Sequence, residues 1–180
     1  MNNKVLQQLD QLDHRLHALL ELLMLETHAD LDRKLSPERW SVYENMQHLM
    51  AAEGASLRYL RKKSQGLAQM KKAGLGAAWR SFLVAAMLSS PFKFKAPKGT
   101  DAEVFEPVES FAQLSGLWQK QRAELREFLT SLPEEIFDKE AYRHPRVGMI
   151  TIGGMLWFFR VHFGRHCGQI ARTLKEVKPS

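Results

Sequence analysis

Two histidines four residues apart, His162 and His166, stand inside the segment Trp157 to Leu174, WFFRVHFGRHCGQIARTL. In a helix that spacing stacks both imidazoles on one face. Steps of three or four from them reach Met155, Phe159 and Ile170, so the pair interrupts the apolar stripe and is expected to point inward. A third histidine, His48 in ENMQHLMAAE, lies on another segment of helical apolar period. Three converging imidazoles are the ligand set of a transition-metal centre with an open coordination position. Interior histidines also serve as hydrogen-bonded packing groups, and the spacing alone does not separate the two roles. No HExxH accompanies the pair, so the usual zinc-peptidase assignment of ligands and base fails.

The remaining chemistry-bearing residues are weaker candidates. Cys167 follows His166 but is turned about 100° around the helix, which makes it a small packing residue rather than a nucleophile. Glu44 lies one turn before His48 and either orients that imidazole or serves as a helix cap, the reading its spacing from Ser41 favours, while Glu53, about 140° around the helix from His48, is expected to face elsewhere. His14 and His17 flank an apolar stripe beside Asp13 and Arg15 and read as solvated; His28 lies near the same stripe. His144 precedes Pro145 in a connection where turn chemistry explains it without a ligand role.

Four long helices must position the histidines. Val5, Leu9, Leu12, Leu16, Leu19, Leu20 and Leu23 recur at three and four, predicting a first helix from Lys4 to about Leu31. Ser36 and Pro37 break the pattern. A second helix starts at Ser41, with Glu44 completing a reciprocal capping box, and runs to about Lys63 with Asn45, His48, Leu49, Ala52, Ala55 and Tyr59 on one face.

Between Ser64 and Pro107, glycines and prolines leave only Ala77 to Leu88 helical, as expected of a long crossover carrying its own short helix. Its Trp79, Phe82, Met87 and Phe92 either wall a pocket or fill the end of the bundle. A third helix opens at Ser110, with Gln113 as partner in a second box, and continues to Leu132, where Pro133 ends it. Thr151 caps the fourth. No alternating strand pattern is long enough for a sheet. The architecture predicted is all-α, a four-helix bundle with a long crossover between helices two and three, occupying residues 1–180 as a single domain.

The chain of 180 residues is 44% hydrophobic, enough to bury a core without disulfides or a structural metal. Its single cysteine excludes an intrachain disulfide, and no apolar run approaches the roughly 20 residues of a membrane span. A soluble cytoplasmic protein is expected. The net charge of +6 is concentrated in Arg58, Arg61, Lys62, Lys63, Lys71 and Lys72, then Lys93, Lys95 and Lys98. With only Tyr59 and the KFK of Lys93 to Lys95 as interleaved aromatics and no reading helix, this reads as a solvated face, and no nucleic-acid partner is expected.

On these residues the chain resembles the DinB-like (YfiT-type) superfamily of metal-dependent four-helix-bundle proteins. The resemblance rests on Trp40 and Ser41 ahead of His48, on HPRVGMIT from His144 to Thr151, and on His162, His166, Gln169 and Ile170. About ten specific positions carry it over essentially the whole chain. It implies a metal site of His48, His162 and His166 for a divalent ion such as nickel, zinc or iron. It further implies a small-molecule substrate, a low-molecular-weight thiol cosubstrate in S-transferase or related chemistry, and pairing of bundles into a homodimer. Metal-dependent hydrolysis and a non-catalytic binding or stress role remain as alternatives, and no catalytic residue beyond the ligands is identified. Where many relatives carry an acidic residue after the threonine, this chain has Gly153 and Gly154, which weaken the start of the last helix.

Overall fold

The computed structural model describes residues 3–66, 69–90 and 105–177. Helices α1 (Asn3–Leu23), α3 (Val42–Ser64), α5 (Phe111–Ser131) and α6 (Ile152–Val177) form the bundle. α6 packs on α1 and α3, and α5 closes the ring against the same two. A one-turn helix, α2 (His28–Asp32), joins α1 to α3, and α4 (Leu75–Ser89) lies in the crossover between α3 and α5, as expected.

The apolar periods fill two clusters of core. Leu9, Leu12, Leu57, Leu125, Leu129, Met155 and Phe159 meet toward one end. Leu16, Leu23, Met46, Leu49, Trp118, Phe163 and Ile170 meet toward the other. A buried leucine or phenylalanine contributes about 1.5–3 kcal/mol relative to an exposed one, so these stripes dominate the packing.

The first helix is shorter than its periodicity suggests. Leu25 and Glu26 donate to the carbonyls of Leu22 and Leu23, three residues back, which tightens and ends the last turn. Thr27 then caps α2, its hydroxyl accepting from the Asp30 amide at 3.2 Å. The Thr27 side chain thus offers the backbone an alternative to continued helix, and the fold back still buries Leu31.

The second difference is a small antiparallel hairpin, β1 (Tyr142–His144) and β2 (Gly148–Ile150), pairing Tyr142 with Ile150 and His144 with Gly148. Gly148 closes it at φ +85°, a conformation that favours glycine. The connection, in which no strand was expected, is therefore paired, and it places His144 inside the protein at 3% exposure.

Gly154 has a packing role that outweighs its helix propensity. A side chain at this position would collide with Ser81, so the glycine lets α4 lie directly on α6. Thr151 caps α6 as predicted, accepting from the Gly154 amide at 3.0 Å. Trp79 and Phe82 stack on one another at the surface, 60% and 52% exposed, and do not wall an interior pocket. Phe92 of that group, and Lys93, Lys95 and Lys98 of the basic cluster, lie outside the described residues. No helix among the described residues is long and apolar enough to cross a membrane.

Candidate metal centre

α3 supplies His48 and α6 supplies His162 and His166, and the packing of these two helices brings all three imidazoles together. Their exposures are 4%, 8% and 5%. The ring centroids lie 4.7–5.0 Å apart, and one ligating nitrogen from each falls within 4.8 Å of the others. His48 Nε2 and His162 Nε2 are 3.1 Å apart. Two nitrogens bound tetrahedrally at zinc-like distances would be separated by about 3.3 Å, so this pair is already spaced for a shared ion. The donor set fits a first-row divalent metal.

The start of α3 is held firmly. Ser41 Oγ accepts from the Glu44 amide at 3.1 Å and Glu44 accepts from the Ser41 amide at 2.9 Å, which is the predicted capping box. Glu44 also pairs with Lys34 at 2.8 Å. Within the first turn Asn45 donates from Nδ2 to the Ser41 carbonyl at 2.8 Å, so its Oδ1 is the atom facing His166 Nδ1, also at 2.8 Å. That acceptor keeps the His166 proton on Nδ1 and leaves Nε2 with its lone pair. Asn45 is the orienting residue the sequence reading missed. Its signal was a polar amide on the inward face of the helix, three residues before His48.

Aromatic rings enclose the histidines. Trp40 packs on His48 at 4.8 Å and lies nearly parallel to His166, and Phe105 meets it edge-on at 5.4 Å. Phe158 lies flat on His162 at 5.2 Å, and His144 meets Phe158 edge-on at 4.7 Å. Arg165 donates from Nη1 to the carbonyls of Leu88 and Ser90 at 2.9 and 2.8 Å, tying the end of α4 to the histidine-bearing helix.

Burial holds the imidazoles of His162, His166 and His144 neutral. His162 lies well below the usual histidine range, first through burial and then through the neighbouring His166, His48, His144 and Arg165. Burial, reinforced by His48 and Arg165, lowers His166 to about 3. His144 is lowered to about 4 by burial and by Arg146. Neutral imidazole is the form that ligates metal, so the enclosure prepares the lone pairs.

The other candidates take other work. Glu53 faces away from the triad, as expected, and is fully engaged there: Arg122 donates to both its oxygens at 2.6 Å and Trp118 Nε1 to one of them at 3.0 Å. This buried ion pair, 4% exposed at each side chain, was not anticipated; its residues come from separate helices and no local pattern joins them. Cys167 is half-buried against the core, and burial pushes its thiol up to about 11, which makes it a poor nucleophile. His14 and His17 are exposed, and His28 bonds the Tyr43 hydroxyl at 3.0 Å, so none of these three joins the site.

The fold and the cluster define a helical bundle carrying an inward tri-histidine arrangement. The sequence profile of the DinB superfamily matches residues 8–170, and the chain belongs to that superfamily. Among solved structures it is similar to YfiT from Bacillus subtilis, described as a probable metal-dependent hydrolase with an unusual four-helix bundle topology. The TM-score is 0.64 at 15% identity, covering 98% of this chain and 89% of that one, a likeness of fold. Among curated proteins nothing matches.

Proposed function

We propose that the chain is a metal-dependent enzyme that holds a divalent transition metal on His48, His162 and His166 and uses a low-molecular-weight thiol in a transfer reaction on a small molecule. The observation that carries the reading is the buried cluster of three imidazoles with donor atoms within 4.8 Å, one of them oriented from behind by Asn45. A divalent ion, when bound, supplies Lewis acidity that lowers the pKa of a thiol or of water. The chain's own residues keep His162 and His166 neutral by burial, hold the His166 proton at Nδ1, and exclude water with the rings of Trp40 and Phe158.

A thiol is favoured over water by the carboxylates. The two that the sequence places near His48 are committed elsewhere, Glu44 to the cap and Lys34, Glu53 to Arg122 and Trp118. A thiol ionises near 8.5 in its free form and needs less help from a base than water does. Hydrolysis is the second reading, favoured by the description of YfiT. Metal-loaded protein assayed with glutathione-sized thiols and electrophilic acceptors, beside a panel of esters and amides, separates the two. Metal-dependent loss of thiol supports transfer, and metal-dependent cleavage without thiol supports hydrolysis. A loaded protein inert in both assays contradicts the enzyme reading.

A further inference from the structure

The packing of α4 inverts the usual order of small and large side chains. Its buried residues are the small Ala77, Ser81, Val84 and Ala85. Its solvent face instead carries Leu75, Ala78, Trp79, Phe82, Leu83 and Ala86, spaced at three and four, with no polar side chain among them. Leu75 and Leu83 are 91% and 39% exposed, and between them the rings of Trp79 and Phe82 stack 5.5 Å apart. The one charged residue of the helix, Arg80, is committed within the chain: its Nε donates to the Met149 carbonyl at 2.6 Å and its Nη2 pairs with Glu140. A helix apolar on every side is a buried helix, and α4, with 15 residues, is too short to be buried by crossing a membrane. Gly154 lets it lie on α6, and Arg165 ties its end there through the Leu88 and Ser90 carbonyls, so the large side chains cannot turn inward.

We propose that the solvent face of α4 is a self-association surface, on which two copies of this chain pair α4 against α4 about a two-fold axis. The area fits a second copy. The exposed parts of the six side chains come to roughly 500 Å², at the upper end of the apolar patch an ordinary monomer shows. Set against itself, the patch removes about 1,000 Å² from water, the size a specific interface must reach. An uncharged face paired with itself opposes no like charges, and tryptophan and phenylalanine are the side chains enriched at the centre of such contacts. A lipid surface fits less well, because interfacial helices grip headgroups with lysines and arginines of their own, and the only one in α4 is engaged by Glu140.

Sedimentation equilibrium of the full chain at micromolar concentrations tests the assignment. The parent protein should behave as a pair of 20.7 kDa chains. Trp79→Ser and Phe82→Ser should each weaken the pairing at least about thirtyfold, the loss of one interface anchor. Leu75→Ser should weaken it too; at 91% exposure Leu75 touches too little of its own chain for its replacement to unfold the bundle, which helical circular dichroism checks. Leu117→Ser, at a residue 53% exposed on α5, should leave the dimer intact. A monomeric parent protein overturns the proposal, and so does a dimer that the α4 substitutions leave unchanged or that Leu117→Ser weakens equally. A monomeric parent that co-sediments with phosphatidylglycerol vesicles overturns it in favour of a lipid surface.

Discussion

Asn45 and His166 stand 121 positions apart in the chain and face one another at 2.8 Å in the interior. The contact joins the first turn of α3 to the middle of α6 and sets which nitrogen of His166 carries its proton. An orienting partner of this kind is worth roughly 10- to 100-fold in metal affinity. Asn45→Leu is expected to weaken nickel or zinc binding by that factor, and competition titration against a chelator of known affinity reads it directly. Unchanged affinity would show that Asn45 only packs.

The buried pair Glu53 and Arg122 has a different task. It ties α3 to α5, and Trp118, which shares Glu53, packs against Phe163 at 5.9 Å, next in the chain to His162. Removing one partner of such a pair leaves a charge stranded in the interior, at a cost of about 3–5 kcal/mol. Glu53→Ala should therefore lower the melting temperature by about 10 °C or more in a chain of this size. The folded fraction at low temperature should still bind metal with the parent stoichiometry, since both Glu53 oxygens are committed to Arg122 and Trp118. A melting temperature within about 2 °C of the parent protein would contradict the structural role.

Acid should destabilise the metal-free protein. Unfolded, His144 and His166 titrate near 6.5; folded, they titrate near 4 and 3. Between those values the unfolded chain binds more protons, so stability is fully present above pH 6.5 and is lost as pH falls toward the folded values. Each histidine contributes a slope of at most about 1.4 kcal/mol per pH unit in that window. Thermal melts of chelator-treated protein from pH 7.5 to pH 5 should fall steadily, and His144→Phe should flatten the decline. A melting temperature constant over that range would mean that these imidazoles are not held neutral by burial.

Much of this architecture is legible from periodicity. The stripes from Val5 to Leu23, from His48 to Tyr59 and from Met155 to Ile170 locate three helices because every third or fourth residue is apolar, and Ser41 with Glu44 marks a helix start by a local chemical rule. Local rules also hid some features. Thr27 and Asp30 form a helix-start signal of the same type, but the apolar Leu31 two turns on makes the first helix read as continuous. The strands from Tyr142 and from Gly148 span three residues each, too short for alternation to register. Non-local features have no such signature: Asn45 finds His166, and Glu53 finds Arg122, only after the helices pack. The triad itself was legible because two of its members share one helix face.

The central claim is tested most directly by elemental analysis of protein purified without chelator or a nickel-charged affinity column, beside His48→Ala and His162→Ala. The account predicts about one equivalent of a transition metal per chain in the parent protein, and its loss in both variants while their helical circular dichroism is retained. No metal in the parent protein, together with no thermal shift on adding nickel, zinc or iron, would contradict it and leave the three histidines as packing groups.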